Sequence, residues 1–383
     1  MKTQIAIIGG GPAGLLLSQI LHLAGIDNVV LERQSRAYVE GRIRAGVLEP
    51  GTVDMLRAAG VGERMDREGF AHDGTALAFN GEMLRLDFKE LTGKSVMVYG
   101  QTEVTKDLYA VRGDAVLHEV AEVTIHDLDG DTYVTCLHEG NEIRIDCDFV
   151  AGCDGFHGVS RTCIPENKNE ISTAFDFGWL GILSETPPVS HELIYAYHRD
   201  GFALASMRNE CLSRYYVQVP LTDKVEDWSD DRFWSALSAR LPDNVRDQLV
   251  TGPSIEKSIV PLRSYVSNTM SYGNLFLCGD SAHIVPPTGA KGLNLAVSDV
   301  YYLSEALKAF YSGNKVGLTH YSETALRRVW QSVRFSVETT RLLHLFDGHT
   351  AFDAHLQRAA FQHLVGSKTA QKSFAENYVG LPF

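Results

Sequence analysis

Cysteine is scarce, six residues in 383, and Cys136, Cys147, Cys153, Cys163, Cys211 and Cys278 include no C-x-x-C or other metal-ligand spacing. That excludes a disulfide scaffold or a zinc site and leaves buried free thiols in a reducing compartment as the expectation. Positive charge is also in deficit: 35 Lys and Arg against 48 Asp and Glu give a formal net charge of −13. An acidic surface repels nucleic-acid phosphates and anionic lipid, so neither is an expected partner, and an anionic ligand would need local arginines. No uninterrupted apolar stretch is long enough to span a bilayer. The apolar run after Met1-Lys2 is broken by glycines and a proline, and no small-residue cleavage site follows clearly, so a cytoplasmic protein is expected. Internal repeats and low-complexity segments are missing as well.

What is present begins at residue 5. The apolar run Ile5-Ala6-Ile7-Ile8 leads straight into Gly9-Gly10-Gly11-Pro12-Ala13-Gly14, followed by helically spaced Leu15, Leu16, Ile20 and Leu21 and a second run, Val29-Val30-Leu31, ending at Glu32. This reads as strand, tight turn, helix and strand, with Gly9, Gly11 and Gly14 in G-x-G-x-x-G spacing. The first glycine permits the turn, the second admits a pyrophosphate against the backbone, and the third lets helix and strand pack closely. The helix N-terminus offers free N–H groups to phosphate, and Glu32 is placed for ribose hydroxyls. A lone G-x-G-x-x-G is weak, but strand, helix and acid all agree here. The motif occurs once, so a two-dinucleotide reductase architecture is disfavoured.

Further along, a basic loop carries Arg33, Gln34, Arg36, Tyr38, Arg42 and Arg44, either a solvated face or a phosphate contact. Helices are expected at about 50–65, 101–110, 227–250, 293–310 and 321–346. Strand patterns cover 75–98, with a turn at Asn80-Gly81, then a hairpin through Glu139-Gly140, and much of 176–220. Rossmann-like and sheet-like segments interleave, so two domains built from discontinuous pieces are expected.

Two more motifs follow the first in order: Cys153-Asp154-Gly155-Phe156-His157-Gly158, and Cys278-Gly279-Asp280 running to Pro286-Pro287-Thr288-Gly289-Ala290-Lys291-Gly292-Leu293-Asn294. In the last, a strand ends in Gly-Asp so that a carboxylate can reach a ribose, and the 292–294 amides open a helix toward developing negative charge. This order resembles the single-component flavoprotein aromatic hydroxylases. The resemblance extends to Arg42-Ile43-Arg44-Ala45-Gly46-Val47-Leu48-Glu49, Tyr99-Gly100-Gln101-Thr102-Glu103, 187–195 and 375–382, and thus to essentially the whole chain. Within that family it points to the branch acting on 4-hydroxybenzoate.

The resemblance implies an α/β fold: a Rossmann-like FAD-binding domain (1–72, 98–175 and 262–345), a β-sheet substrate domain (73–97 and 176–261), and a helical C-terminal segment (346–383) that forms a homodimer. It implies FAD in the Rossmann site, NADPH (or NADH) docking elsewhere, and O2 as co-substrate. The product would be 3,4-dihydroxybenzoate, formed through a flavin hydroperoxide. Gly9, Gly11, Gly14, Glu32, Arg42, Arg44, Gln101, Asp280, Gly292, Leu293 and Asn294 would hold FAD. Arg33, Gln34, Tyr38, His157 and Arg263, with Arg42, would meet the nicotinamide dinucleotide. Arg208, Ser206 and Tyr216 would take the substrate carboxylate, and the Pro287 carbonyl the phenol. Tyr195 would pass the phenol proton through Tyr378 to His72. By spacing alone, pairing of Arg208 with a surface acid such as Glu210 is the favoured reading, and each tyrosine reads as a core residue. Trp179 and Leu204 are candidate pocket walls. Ser35-Arg36-Ala37 departs from the family pattern, and Arg33, Arg36 and Tyr38 favour a 2′-phosphate and hence NADPH. Tyr195, Tyr378 and Pro287 favour a para phenol over 3-hydroxybenzoate. A flavin reductase or sensor that does not hydroxylate would need neither Arg208 nor the relay.

Overall fold

Ile5–Ile8 and Phe149–Gly152 carry no polar side chain and are buried on both faces, as strands at the centre of a parallel sheet must be. In the computed structural model, which describes residues 1–41, 46–165 and 170–383, these two strands pair in parallel from Ile5↔Phe149 to Ile8↔Gly152. Asn28–Leu31 and then Val116–Leu117 add in parallel on one side, Leu275–Leu277 on the other, and Ser271–Tyr272 closes that edge antiparallel. Helix Pro12–Leu23 starts with proline in its first turn, where no amide donor is needed, and packs between helices Gln101–Arg112 and Gly292–Tyr311.

A second, eight-stranded sheet runs in the order His283–Ile284, Ser254–Ser267, Glu170–Ser184, Leu212–Pro220, Gly201–Asn209, Ile194–His198, Gly74–Phe79 and Glu82–Asp87. Period-two alternation gives it two unlike faces. Ala76, Ala78, Leu180, Ile182, Ala196, Ala203, Ala205 and Val217 turn to one side, under Phe233, Trp234 and Leu237 of helix Asp230–Arg240. Leu77, Phe79, Trp179, Tyr195, Tyr197, Phe202 and Leu204 turn to the other, under the helices that end the chain, Val316–Leu343, Ala351–Gly366 and Lys368–Val379. Strands 74–79 and 82–87 thus join a sheet whose other members lie beyond residue 169.

Several expected elements are subdivided. The helix expected at 50–65 stops at Ala58, turns through Gly60 at φ +76°, and restarts as Glu63–Glu68. The helix expected at 227–250 begins at Asp230, capped by Ser229, and halts at Leu241-Pro242 before the short Asp243–Arg246. Within 75–98, Asp87 caps an unanticipated helix, Phe88–Thr92. The cysteines are all free, but only Cys136, Cys147 and Cys278 are buried; Cys153 and Cys163 are partly open and Cys211 is exposed, which corrects the expectation of six buried thiols. Among the described residues no helix is long and apolar enough to cross a membrane.

Candidate active site

One cavity of ≈ 1010 Å³ runs from the Gly9 turn, across the ends of the parallel strands, to the inner face of the eight-stranded sheet. Its dinucleotide end is shaped by glycines. Gly9 sits at φ +108°, and a Cβ there would collide with the Cys153 carbonyl; a Cβ on Gly14 would strike the Gly9 carbonyl. A Cβ on Gly11 would meet nothing within 4 Å. The second glycine therefore leaves backbone open to the cavity, as a close-lying pyrophosphate requires. Glu32 is buried, and its carboxylate accepts from the amides of Gly10 (2.7 Å) and Gln34 (2.8 Å), which aims it into the cavity with acceptor capacity to spare. Asp280 and Gln101 line the same wall.

Helix Gly292–Tyr311 makes its first bond from the Leu295 amide to the Lys291 carbonyl (2.8 Å), so the 292–294 amides precede the ladder. Gly292 and Leu293 line the cavity. Asn294 has its side chain committed elsewhere: Oδ1 accepts from the Glu49 amide (2.9 Å) and the Thr52 hydroxyl (2.7 Å), and Nδ2 donates to the Val47 and Ala290 carbonyls (2.8 and 2.9 Å). Only its backbone amide remains for a ligand. An open glycine, an acid on the second strand and a free helix N-terminus suit FAD. Arg42 and Arg44 lie outside the described residues.

Arg33, Gln34, Tyr38, His157 and Arg263 all border the cavity's outer rim. Arg263 stacks its guanidinium over the Phe156 ring at 3.9 Å. Arg36 is instead paired with Glu40 at 2.8 Å and is not part of the lining.

At the inner end, Ser206, Arg208 and Tyr216 share a face of adjacent strands, registered through Leu204↔Tyr216. Gly181 makes room for Tyr216, since a Cβ there would lie 2.6 Å from the ring. Arg208 donates through Nη1 to the Ser206 hydroxyl (2.6 Å) and the Met207 carbonyl (3.1 Å). Among the described residues it forms no ion pair, with Glu210 or any other acid. Burial pulls its pKa down, yet a guanidinium stays charged. Its neighbour Arg214, by contrast, is paired with Glu256 at 2.9 Å.

Tyr195 also lines the cavity, and its hydroxyl meets that of Tyr378 at 2.9 Å behind the wall. Burial raises both: Tyr195 well above the usual phenol value and Tyr378 to about 12. His72, on strand Phe70–His72, is buried with neither ring nitrogen hydrogen-bonded, and burial lowers its pKa. The pairing of the hydroxyls thus extends from Tyr195 to Tyr378, and His72 makes no hydrogen bond that would continue it. Pro287 borders the cavity, and its carbonyl accepts one turn bond from the Ala290 amide (2.9 Å).

Sequence reasoning assigned no role to Lys291. Almost fully buried at the cavity wall, it donates to Glu49 Oε1 (2.6 Å) and to the Tyr378 carbonyl (2.9 Å). Arg328 donates to Glu49 Oε2 (2.7 Å) and to the Leu381 and Pro382 carbonyls. The clue was a lysine inside a glycine-rich loop, flanked by no acid in sequence.

The family model described as FAD binding domain matches residues 2–336. The chain is 53% identical over its whole length, and over 96% of the relative, to p-hydroxybenzoate hydroxylase of Acinetobacter baylyi. Para-nitrophenol 4-monooxygenase of a Pseudomonas species is 26% identical over 80% of this chain and 77% of that protein. Among solved structures, p-nitrophenol 4-monooxygenase from Pseudomonas putida superposes over the full length of both chains with a TM-score of 0.84 at 18% identity, a likeness of fold.

Proposed function

We propose, for a chain that belongs to the FAD-binding-domain family of aromatic monooxygenases and shares 53% of its residues with p-hydroxybenzoate hydroxylase, that it converts 4-hydroxybenzoate to 3,4-dihydroxybenzoate. The observation that carries this reading is Arg208, a guanidinium at the closed end of the cavity with no protein carboxylate beside it. An arginine fork matches a carboxylate better than any other side chain does.

The spacing supports a para phenol. Tyr195 is register partner of Leu204, and Arg208 lies four residues further along, so the two Cα positions are about 13 Å apart along the strand. Both side chains line the cavity, so a benzoate can turn its carboxylate to the guanidinium and its para hydroxyl to the tyrosine. Ser206 and Tyr216 complete the carboxylate contacts, and the Pro287 carbonyl has a second lone pair for the phenol.

FAD, when bound along Gly9, Gly11, Glu32, Gln101, Asp280 and the 292–294 amides, supplies the chemistry that delivers one atom of O2 to the ring. The protein's part is to ionise the substrate. A phenolate activates the carbon ortho to its oxygen far more than a phenol does, so removing that proton assists the chemical step. Tyr195 takes it and releases its own to Tyr378. Because burial disfavours either tyrosinate, the two hydroxyls act as a shuttle rather than a resting base. Neutral His72, with both ring nitrogens unpaired, is the acceptor we assign beyond them. Trp179, Leu193 and Leu204, all buried, keep water from the reacting centre.

NADPH is the reductant we assign, through Arg33, Gln34, Tyr38, His157 and Arg263. Six free cysteines fit a cytoplasmic enzyme. A homodimer through the last helices fits the exposure of Phe352 and Leu356. The test is NADPH oxidation by FAD-loaded protein with and without 4-hydroxybenzoate, with product and peroxide measured together. Strong stimulation with near-stoichiometric 3,4-dihydroxybenzoate is expected. Stimulation yielding mostly H2O2 would move the assignment to another benzoate, and no stimulation by any hydroxybenzoate would overturn it.

A further inference from the structure

His344 plays no part in the reaction described above, yet it is fully buried directly behind the pocket wall. It caps helix Val316–Leu343, and its ring lies against Phe202 (centroids 4.1 Å apart, 22°) and Phe177 (4.8 Å, 13°). Its Nε2 stands 2.8 Å from the indole nitrogen of Trp179, with the two rings only 6° from parallel, the geometry of an in-plane hydrogen bond. An indole nitrogen can only donate, so His344 Nε2 accepts. The ring proton therefore sits on Nδ1, which donates to the Thr340 carbonyl at 2.9 Å. One neutral tautomer satisfies both nitrogens, and a second proton would set two donors head to head. Burial accordingly pulls the pKa to about 3.

Trp179 is the far end of this arrangement, and its indole borders the cavity beside Tyr216, 5.2 Å between ring centres. The segment behind it is anchored independently. The Gln357 amide donates to the His344 carbonyl (2.8 Å), and the Leu345 amide donates to Gln218 Oε1 (3.1 Å) on the same sheet face. A C-terminal helix thus holds an acceptor at a fixed height over the pocket wall.

We propose that His344 is a positioning residue for the aromatic-acid pocket: by accepting the Trp179 indole N–H it fixes the rotation of that wall and the width of the slot that receives the substrate ring. This rests on the reading of the inner cavity as the aromatic-acid site. Without the acceptor, a buried indole N–H is orphaned and the indole turns to find another partner, which displaces the wall.

The test uses FAD-loaded protein carrying His344→Leu or His344→Gln, each with Trp179 intact or as Trp179→Phe. Dissociation constants for 4-hydroxybenzoate come from flavin absorbance, and product formed per NADPH oxidised and tryptophan emission are read alongside. His344→Leu is expected to weaken binding about tenfold and to lower product yield, because small misplacements at a substrate wall are costly. His344→Gln, whose amide can accept from the indole and donate to Thr340, is expected to stay within about twofold of the parent. In the Trp179→Phe background, His344→Leu is expected to change binding by less than about twofold, because no indole N–H remains to be orphaned. Should the leucine variant lose FAD, His344→Asn, too short to reach the indole, replaces it with the same expectations. Equal losses in both backgrounds, or no rescue by glutamine, would overturn the proposal. Failure of the functional reading looks different: the parent protein answers no hydroxybenzoate. In that case an emission change on His344→Leu that vanishes when Trp179 is replaced still shows that His344 sets the indole, and its absence overturns the positioning role.

Discussion

Replacing Arg208 separates a ligand-binding arginine from a structural one. Nη1 is spent on Ser206 and Met207, at 2.6 and 3.1 Å, and the guanidinium, at the cavity wall beside Tyr216, has further N–H donors to offer a carboxylate. A hydrogen bond to a charged group contributes about 1.5–3 kcal/mol. Arg208→Lys keeps the charge but offers one contact in place of two. Affinity for 4-hydroxybenzoate should therefore fall about 10- to 100-fold at 1.4 kcal/mol per decade. Arg208→Gln removes the charge as well, and the loss should reach about 10²–10⁴-fold. No protein carboxylate is orphaned by either change, and Arg214 is relieved of a like charge, so stability should move by less than about 1 kcal/mol. The assay is flavin absorbance titrated with the acid and, in parallel, with its neutral amide, 4-hydroxybenzamide. The parent should prefer the acid strongly, and Arg208→Gln should lose that preference. Equal weakening for acid and amide, or less than a threefold change for the acid, would refute the carboxylate assignment.

Tyr195→Phe should lower the rate of product formation about 10²–10⁴-fold while acid binding changes little, and raising pH should recover part of the loss by ionising the phenol without help; product and peroxide yields across a pH series check this. Gly11→Ala should leave the protein without FAD folded to within about 0.5 kcal/mol but cut FAD retention, since its Cβ enters open cavity, whereas Gly9→Ala should impair folding itself, at φ +108° against the Cys153 carbonyl. His344 titrates near 3 when folded and near 6.5 when unfolded, so the unfolded chain binds a proton that the folded chain refuses. Its contribution is intact above pH 6.5 and lost as pH falls toward 3, by about 2 kcal/mol at pH 5. Denaturant unfolding of parent and His344→Gln at pH 7.5 and 5 should show the smaller acid loss in the variant.

The dinucleotide half was legible in the sequence because its signals are local. Gly9, Gly11, Gly14 and Glu32 span twenty-four residues; Gly9 and Gly14 meet constraints that nearby backbone imposes, and Gly11 leaves the backbone open to the cavity. The β-sheet half was readable as strands but not as a site. Ser206 and Arg208 share a face by simple alternation, yet nothing in residues 201–220 says that no acid neutralises Arg208. From spacing, a surface acid such as Glu210 was the better partner; on the sheet, Ser206 and Met207 take Nη1, and among the described residues no acid pairs with Arg208. Helices were overextended wherever a glycine or proline cut an amphipathic pattern, as at Gly60 and Pro242.

The least legible part was what joins the two halves. Glu49, Lys291 and Arg328 are 242 and 37 residues apart in succession, and all three are nearly fully buried. Burying an acid between two cations needs further hydrogen bonds to offset desolvation, and here other donors of the two cations go to the carbonyls of Tyr378, Leu381 and Pro382, while Arg328 Nε stays unpaired. The network therefore ties the loop before helix Gly292–Tyr311, the start of helix Pro50–Ala58 and the chain's last residues to one another. That fixes the backbone carrying Tyr378 relative to the loop carrying Pro287. The proton shuttle proposed for Tyr378 and the Pro287 loop come from segments about ninety residues apart, and Lys291, at the cavity wall and on the Tyr378 carbonyl, gives them a common anchor.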